Sequence, residues 1–159
     1  MIRMAISPDF DFLYDLYMHP QVNPYLLYEL MDAASFRSIY DDLLRDKVKY
    51  LYMNGGVNTG MFKLIPLRHR NDHVVYLGGL AIHPLFAGKG EGAQMMNEII
   101  EQAVRQNFLR IELSVSVTNK KAIALYQRAG FEQEGLLRRY TQLKSEHRFI
   151  DEILMSYIT

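Results

Sequence analysis

The stretch Leu77-Gly78-Gly79-Leu80-Ala81-Ile82-His83-Pro84-Leu85-Phe86-Ala87-Gly88-Lys89-Gly90-Glu91-Gly92-Ala93 joins an apolar strand pattern to a helix through a loop with three alternating glycines. Such a junction suits an anion. The first helical turn leaves its backbone N–H groups unpaired and carries the positive end of the helix dipole, and glycine lets a phosphate approach the backbone closely. Lys89 adds a positive charge. By itself the pattern also suits a tight surface turn. The Walker A arrangement fails here, because Lys89 is followed by Gly90 rather than by a Ser or Thr able to hold magnesium. Gly88-x-Gly90-x-x-Ala93 formally fits the G-x-G-x-x-A form of the dinucleotide fingerprint, but its context does not. Five residues separate Ile82 from Gly88, the strands upstream read as a hairpin meander, and Glu112 falls in mid-strand rather than at a strand's end.

Upstream of this stretch, Asp9 to Met18 and Ala33 to Leu44 space their apolar residues for two helices, with Pro20 to Glu29 as a loop between them. Lys47 to Met53 and Val57 to Pro66 are strand-like and meet at Asn54-Gly55-Gly56, residues that tolerate the positive φ of a hairpin turn. A turn at Arg68 to Asp72 leads into the strand Val74 to Ile82. Downstream, a helix from about Gly92 to Gln106 puts Met95, Met96, Ile99, Ile100, Ala103 and Val104 on one face, which reads as core filler. A strand follows at Arg110 to Val117, so strand, helix and strand form a parallel crossover. Asn119 caps a short helix that ends near Ala129, where Gly130 supplies a left-handed cap. Two more strands lie near Phe131 to Leu143 and Arg148 to Tyr157. The reading is α/β with a mixed sheet.

The 159-residue chain suits one domain, residues 1–159, with no repeat or Pro/Gly/Ser-rich linker. It contains no cysteine, which excludes a disulfide framework, a thiolate metal site and an acyl-enzyme on an enzyme thiol. Eighteen basic and eighteen acidic side chains balance, so no net field advertises nucleic acid as a partner. There is no signal-peptide core and no apolar run of membrane-spanning length, and a cytoplasmic location is expected, with no membrane partner and no metal.

His83-Pro84 followed by Gly88-Lys89-Gly90-Glu91-Gly92-Ala93 resembles the acetyl-CoA pyrophosphate loop of GNAT acetyltransferases, whose pattern is Gln or Arg, two residues, Gly, any residue, then Gly or Ala. The run Asn119-Lys-Lys-Ala-Ile-Ala-Leu-Tyr126-Gln-Arg-Ala-Gly130-Phe131 is similar to the same family's second motif. The resemblance covers Leu77 to Tyr140, and the ending is similar to members acting on ribosomal protein N-termini, polyamines or free amino acids. It implies a GNAT-like, mostly antiparallel twisted sheet of six to seven strands with about four helices and strands splayed at the coenzyme site. It further implies an N-acetyltransferase that moves the acetyl group of acetyl-CoA directly to a primary amine, on a small molecule or a peptide N-terminus, within a ternary complex.

For single residues the resemblance implies that Leu80, Ala81 and Ile82 offer backbone groups to the pantetheine amides, and that Ala87, Gly88, Lys89, Gly90, Glu91, Gly92 and Ala93 hold the pyrophosphate. Gly78-Gly79 suits a bulge that splays the strand and frees an N–H to polarise the acetyl carbonyl. Asn119 lies near the pantetheine while capping its helix. Tyr126 is the expected general acid, donating its phenolic proton to the departing coenzyme A sulfur. Ala87 departs from the family's Gln or Arg, removing a side-chain contact, and Glu91 puts negative charge near the pyrophosphate where an apolar residue is usual; whether this weakens coenzyme binding stays open. The general base stays open among Glu112, Glu29 and His83. Tyr28 and Glu29 are expected in the acceptor pocket, with Arg138-Arg139-Tyr140 and Asp151-Glu152 nearby. An acyl-CoA-binding regulatory module without turnover is the alternative, and a homodimer through an exposed apolar strand is compatible with either.

Overall fold

In the computed structural model, which describes residues 1–159, seven strands form one sheet. They are β1 (Ile2–Met4), β2 (Lys49–Asn54), β3 (Val57–Pro66), β4 (Val74–Ile82), β5 (Arg110–Ser116), β6 (Glu132–Leu143) and β7 (Arg148–Ile158), in the order β1-β2-β3-β4-β5-β7-β6. Only β4 and β5 run parallel; every other neighbouring pair is antiparallel. Five helices, rather than the expected four, cover the faces: α1 (Phe10–Met18), α2 (Asn23–Leu26), α3 (Ala33–Arg45), α4 (Glu91–Arg105) and α5 (Lys120–Arg128). The added one is α2, a single turn within the segment expected as a loop, closed by Leu27 in a left-handed conformation. None of the helices is long and apolar enough to cross a membrane.

Periodicity explains the two layers. On one face α4 buries Met95, Met96, Ile99 and Ala103 against Phe62, Leu64, Val75 and Leu77 of the sheet, joined by Ile123 and Tyr126 of α5. Val104, expected on the same side, is half exposed, because it falls at the rim of the buried stripe near the helix end. On the other face α1 and α3 bury Leu13, Leu16, Tyr17, Phe36 and Tyr40 against Leu51, Met61 and Ala81. Each such large apolar side chain contributes about 1.5–3 kcal/mol when taken fully out of water. The Asp32 side chain starts α3 by accepting from Ser35 N–H at 2.8 Å. At the far edge β6 exposes Leu136 and Tyr140.

Candidate active site

The site begins where the sheet opens. β4 and β5 pair only from Val74, Val75 and Tyr76 to Arg110, Ile111 and Glu112; beyond this, β5 stays with β7 while the rest of β4 bonds β3 alone. A bulge drives the separation. Met61 opposes Ala81 and Lys63 opposes Gly78, so Phe62 faces two residues, Gly79 and Leu80. Gly79 has φ +55°, and a Cβ there would sit 3.3 Å from Lys63 Cε and 3.5 Å from the Tyr17 hydroxyl. The backbone conformation and the close approach both require glycine.

A groove of about 680 Å³ runs through the opening. Leu80, Ala81 and Ile82 form one wall, Asn119, Lys121, Ala122, Leu125 and Arg128 the other, and Gln21, Val22, Tyr25 and Leu26 lean over it. Its floor is the glycine loop, with Ala87, Gly88, Gly90, Gly92 and Ala93 lining it. Gly90 takes φ +84° to turn the chain into α4, whose first bond runs from Gln94 N–H to the Gly90 carbonyl at 3.1 Å. The N–H groups of Glu91, Gly92 and Ala93 are thus the free donors of the helix start. Asn119 accepts from Ala122 N–H at 3.2 Å as a cap while its residue borders the groove.

Two charged loop residues are placed differently from expectation. Lys89 is exposed and outside the lining; the cations that do line the groove, Lys121 and Arg128, come from α5 and lay unremarked in the sequence, although their i, i+7 spacing puts them on one helix face. The Glu91 carboxylate turns away from the loop. It is buried, accepts from Asn54 Nδ2 at 2.6 Å and from Thr59 Oγ1 at 3.2 Å, and pins the start of α4 to the β2–β3 hairpin. A carboxylate in the first helical turn also complements the dipole.

The groove passes Leu80, Asn119 and Ala122 into a second cavity of about 260 Å³, which these three residues line as well. Gly78, Gly79 and Tyr126 border it, together with Tyr28, Lys63, Tyr76, Ser114, Ser116, Thr141 and Glu152. The Tyr126 hydroxyl bonds no other group of the chain and opens on this cavity. Burial, reinforced by the neighbouring Tyr76, pushes its pKa well above the phenol's ordinary 10.0. Tyr76 shares a 2.9 Å bond with Ser114 Oγ and is likewise pushed up by burial. Lys63 donates to the Tyr28 hydroxyl at 3.1 Å and has no carboxylate partner.

None of the three expected base candidates reaches the cavity. Glu112 accepts from Arg110 Nε at 3.0 Å on the paired part of the strand. His83 caps its turn, accepting from Leu85 N–H at 3.3 Å, and lies 3.2 Å from Asp15. Glu29, expected in the acceptor pocket, instead accepts from Ser145 N–H at 3.2 Å and from the Ser145 hydroxyl, tying the segment after α2 to the β6–β7 turn. These hydrogen bonds hold its pKa below the usual carboxylate value. Tyr28 does line the cavity. Of Asp151-Glu152, Asp151 is spent on Arg139 N–H at 2.6 Å, and Glu152 is the one that faces inward.

A model of the Acetyltransferase (GNAT) family matches residues 10–131. The chain belongs to that family. It is similar along 99% of its length to an L-amino acid N-acetyltransferase of Escherichia coli (strain K12), with 27% identity and 97% of that relative covered. An uncharacterised N-acetyltransferase of Methanocaldococcus jannaschii is 36% identical over 62 residues, 39% of this chain but only 27% of the relative's length. The same GNAT architecture is seen in the crystal structure of spermidine N-acetyltransferase from Vibrio cholerae, at 21% identity and a TM-score of 0.85 over 99% of this chain and 94% of that one.

Proposed function

We propose that this GNAT protein transfers the acetyl group of acetyl-CoA directly to the α-amine of a small acceptor that also carries a carboxylate, a free amino acid or a close analogue. The observation that carries this reading is the continuity of a long groove floored by helix-start N–H donors with a small cavity holding one free ammonium, Lys63, and one buried carboxylate, Glu152. The full-length similarity to an L-amino acid N-acetyltransferase supports the same acceptor class.

The residues present suit acetyl-CoA, which supplies an activated acetyl group when bound. Backbone N–H groups from Gly88 to Ala93 would hold the pyrophosphate, with Lys121 and Arg128 as the nearby cations, in place of the side chain that Ala87 lacks. Leu80, Ala81 and Ile82, freed from β5, would pair with the pantetheine amides as a further strand does. The bulge at Gly78-Gly79 would aim a backbone N–H at the acetyl oxygen. Tyr126 would give its proton to the departing sulfur; a phenol whose pKa is pushed up by burial stays protonated at neutral pH and is available to do so. Lys63, steadied by Tyr28, would hold the acceptor carboxylate. With no cysteine in the chain, direct transfer is the natural route.

The test is thiol release from acetyl-CoA across the common L-amino acids, their amides, spermidine and peptides with a free N-terminus, with acetyl-CoA binding followed by calorimetry. Release with amino acids and at least tenfold less with their amides is expected. Preference for peptides or spermidine would overturn the acceptor class, and coenzyme binding with no release from any amine would leave a binding module.

A further inference from the structure

An amine arrives at neutral pH as an ammonium and has to lose a proton before its nitrogen can attack a carbonyl carbon. Besides Glu152, the ionisable side chains around the smaller cavity are the phenols of Tyr25, Tyr28, Tyr76, Tyr126 and Tyr140 and the ammonium of Lys63. Burial pushes Tyr76 and Tyr126 up, so they keep their protons, and Lys63 is already a cation. Glu152 differs from all of these. It is 5% exposed, sits opposite Ser116 of β5 and Leu137 of β6, and its Oε1 accepts from the Thr141 hydroxyl at 3.0 Å. Its Oε2 has no partner in the chain, and no cation pairs with it. A carboxylate held on one oxygen and free on the other, in the cavity that Tyr126 opens on, has the geometry of a proton acceptor.

We propose that Glu152 is the base that deprotonates the acceptor, an inference that rests on the acyl-transfer reading above. The ammonium R–NH3+ gives one proton to the Glu152 carboxylate. The freed lone pair forms the C–N bond at the acetyl carbon, the C–S bond breaks, and the sulfur takes the Tyr126 phenolic proton. The nitrogen's second proton restores Tyr126, and Glu152 passes its own to solvent. The sum is R–NH3+ and acetyl thioester to acetamide, thiol and one released proton. Lys63 and Glu152, which line the same cavity, then read the two ends of one zwitterion.

The test is the pH dependence of kcat/KM for the amino acid turned over fastest, comparing wild type, Glu152→Gln, Glu152→Asp and Thr141→Val. Acceptor binding to the CoA-loaded proteins is measured alongside by calorimetry. Wild type is expected to rise through the carboxylate's ionisation to a plateau. Glu152→Gln is expected to fall about 100-fold or more at neutral pH. Its activity then climbs about tenfold per pH unit toward the amine's own pKa, since only the amine that is already neutral reacts. Glu152→Asp restores part of the rate. Thr141→Val, which removes the donor that favours the carboxylate, moves the acidic limb upward. If Glu152→Gln weakens acceptor binding yet keeps the wild-type pH profile, Glu152 is an ammonium anchor and the assignment fails while the acetyltransferase stands. If the Gln variant does not fold, an unmoved limb in Thr141→Val sinks the assignment. Absence of turnover by wild type with every amine overturns both readings.

Discussion

The Lys49 amine lies 3.0 Å from the Tyr17 hydroxyl, and both side chains are sealed from solvent beneath the bulge at Gly79. Burial, and then the nearby charge of Lys63, pushes Lys49 well below its ordinary 10.5. The sign of the linkage follows: the unfolded chain takes up a proton that the folded chain refuses, so folding gains stability as pH rises from the depressed value toward 10.5. Lys49→Met is expected to be more stable than wild type at neutral pH and to lose that rise. Urea unfolding at several pH values between 7 and 10 checks it; a variant with the wild-type slope would show that Lys49 is charged in the folded protein.

Glu91 tests whether a negative charge weakens the phosphate loop. Its carboxylate is bonded to Asn54 and Thr59 rather than aimed into the groove. Glu91→Ala leaves two donors unanswered and is expected to cost about 1–3 kcal/mol of stability. Glu91→Gln keeps the polar contacts and is expected to change acetyl-CoA affinity by less than about threefold. Calorimetry decides, and a tenfold tightening in Glu91→Gln would place the charge back at the loop.

The bulge depends on Gly79 twice, through φ +55° and through the 3.3 Å approach of Lys63. Gly79→Ala is expected to lose about 1–2 kcal/mol from the backbone conformation alone. It should also lower kcat at least about tenfold by moving the backbone N–H, with coenzyme affinity less affected. Equal losses in kcat and coenzyme affinity would mean that the groove as a whole, not the bulge, had shifted.

Tyr126→Phe removes one hydroxyl that bonds nothing in the chain, so stability is expected to change by about 0.5 kcal/mol or less. The rate is expected to fall about 10- to 100-fold at neutral pH. Because burial raises the phenol above 10.0, its deprotonation, which would remove the acid, lies above that value, and Tyr126 contributes no alkaline limb below about pH 10. A wild-type loss of kcat between pH 8 and 9 that disappears in the Phe variant would contradict this.

Much of the architecture was legible because periodicity and turn chemistry act locally. The strands Val57–Pro66 and Val74–Ile82 fall where alternation and the flanking turns put them, and α4 begins within a residue of its expected start. β1 escaped notice because three residues are too few for a pattern; it is a strand only because Ile2, Arg3 and Met4 find Tyr52, Leu51 and Tyr50. α2 escaped because one turn is stabilised by what packs around it, here Asn23 Nδ2 donating to the Tyr17 and Tyr28 carbonyls.

By itself, then, the sequence determined the order of elements, the phosphate-type loop, the pair of glycines for a bulge and the family. These rest on backbone conformation and short-range spacing, which neighbouring residues control. The tertiary structure alone decided that Glu91 turns inward, that Glu29 is tied to Ser145, that Lys121 and Arg128 border the groove and that Glu152 shares a cavity with Tyr126. Where a charged side chain points, and what it meets, depends on partners dozens of residues away: Glu152 becomes available because β7 inserts between β5 and β6, a placement that no local pattern encodes.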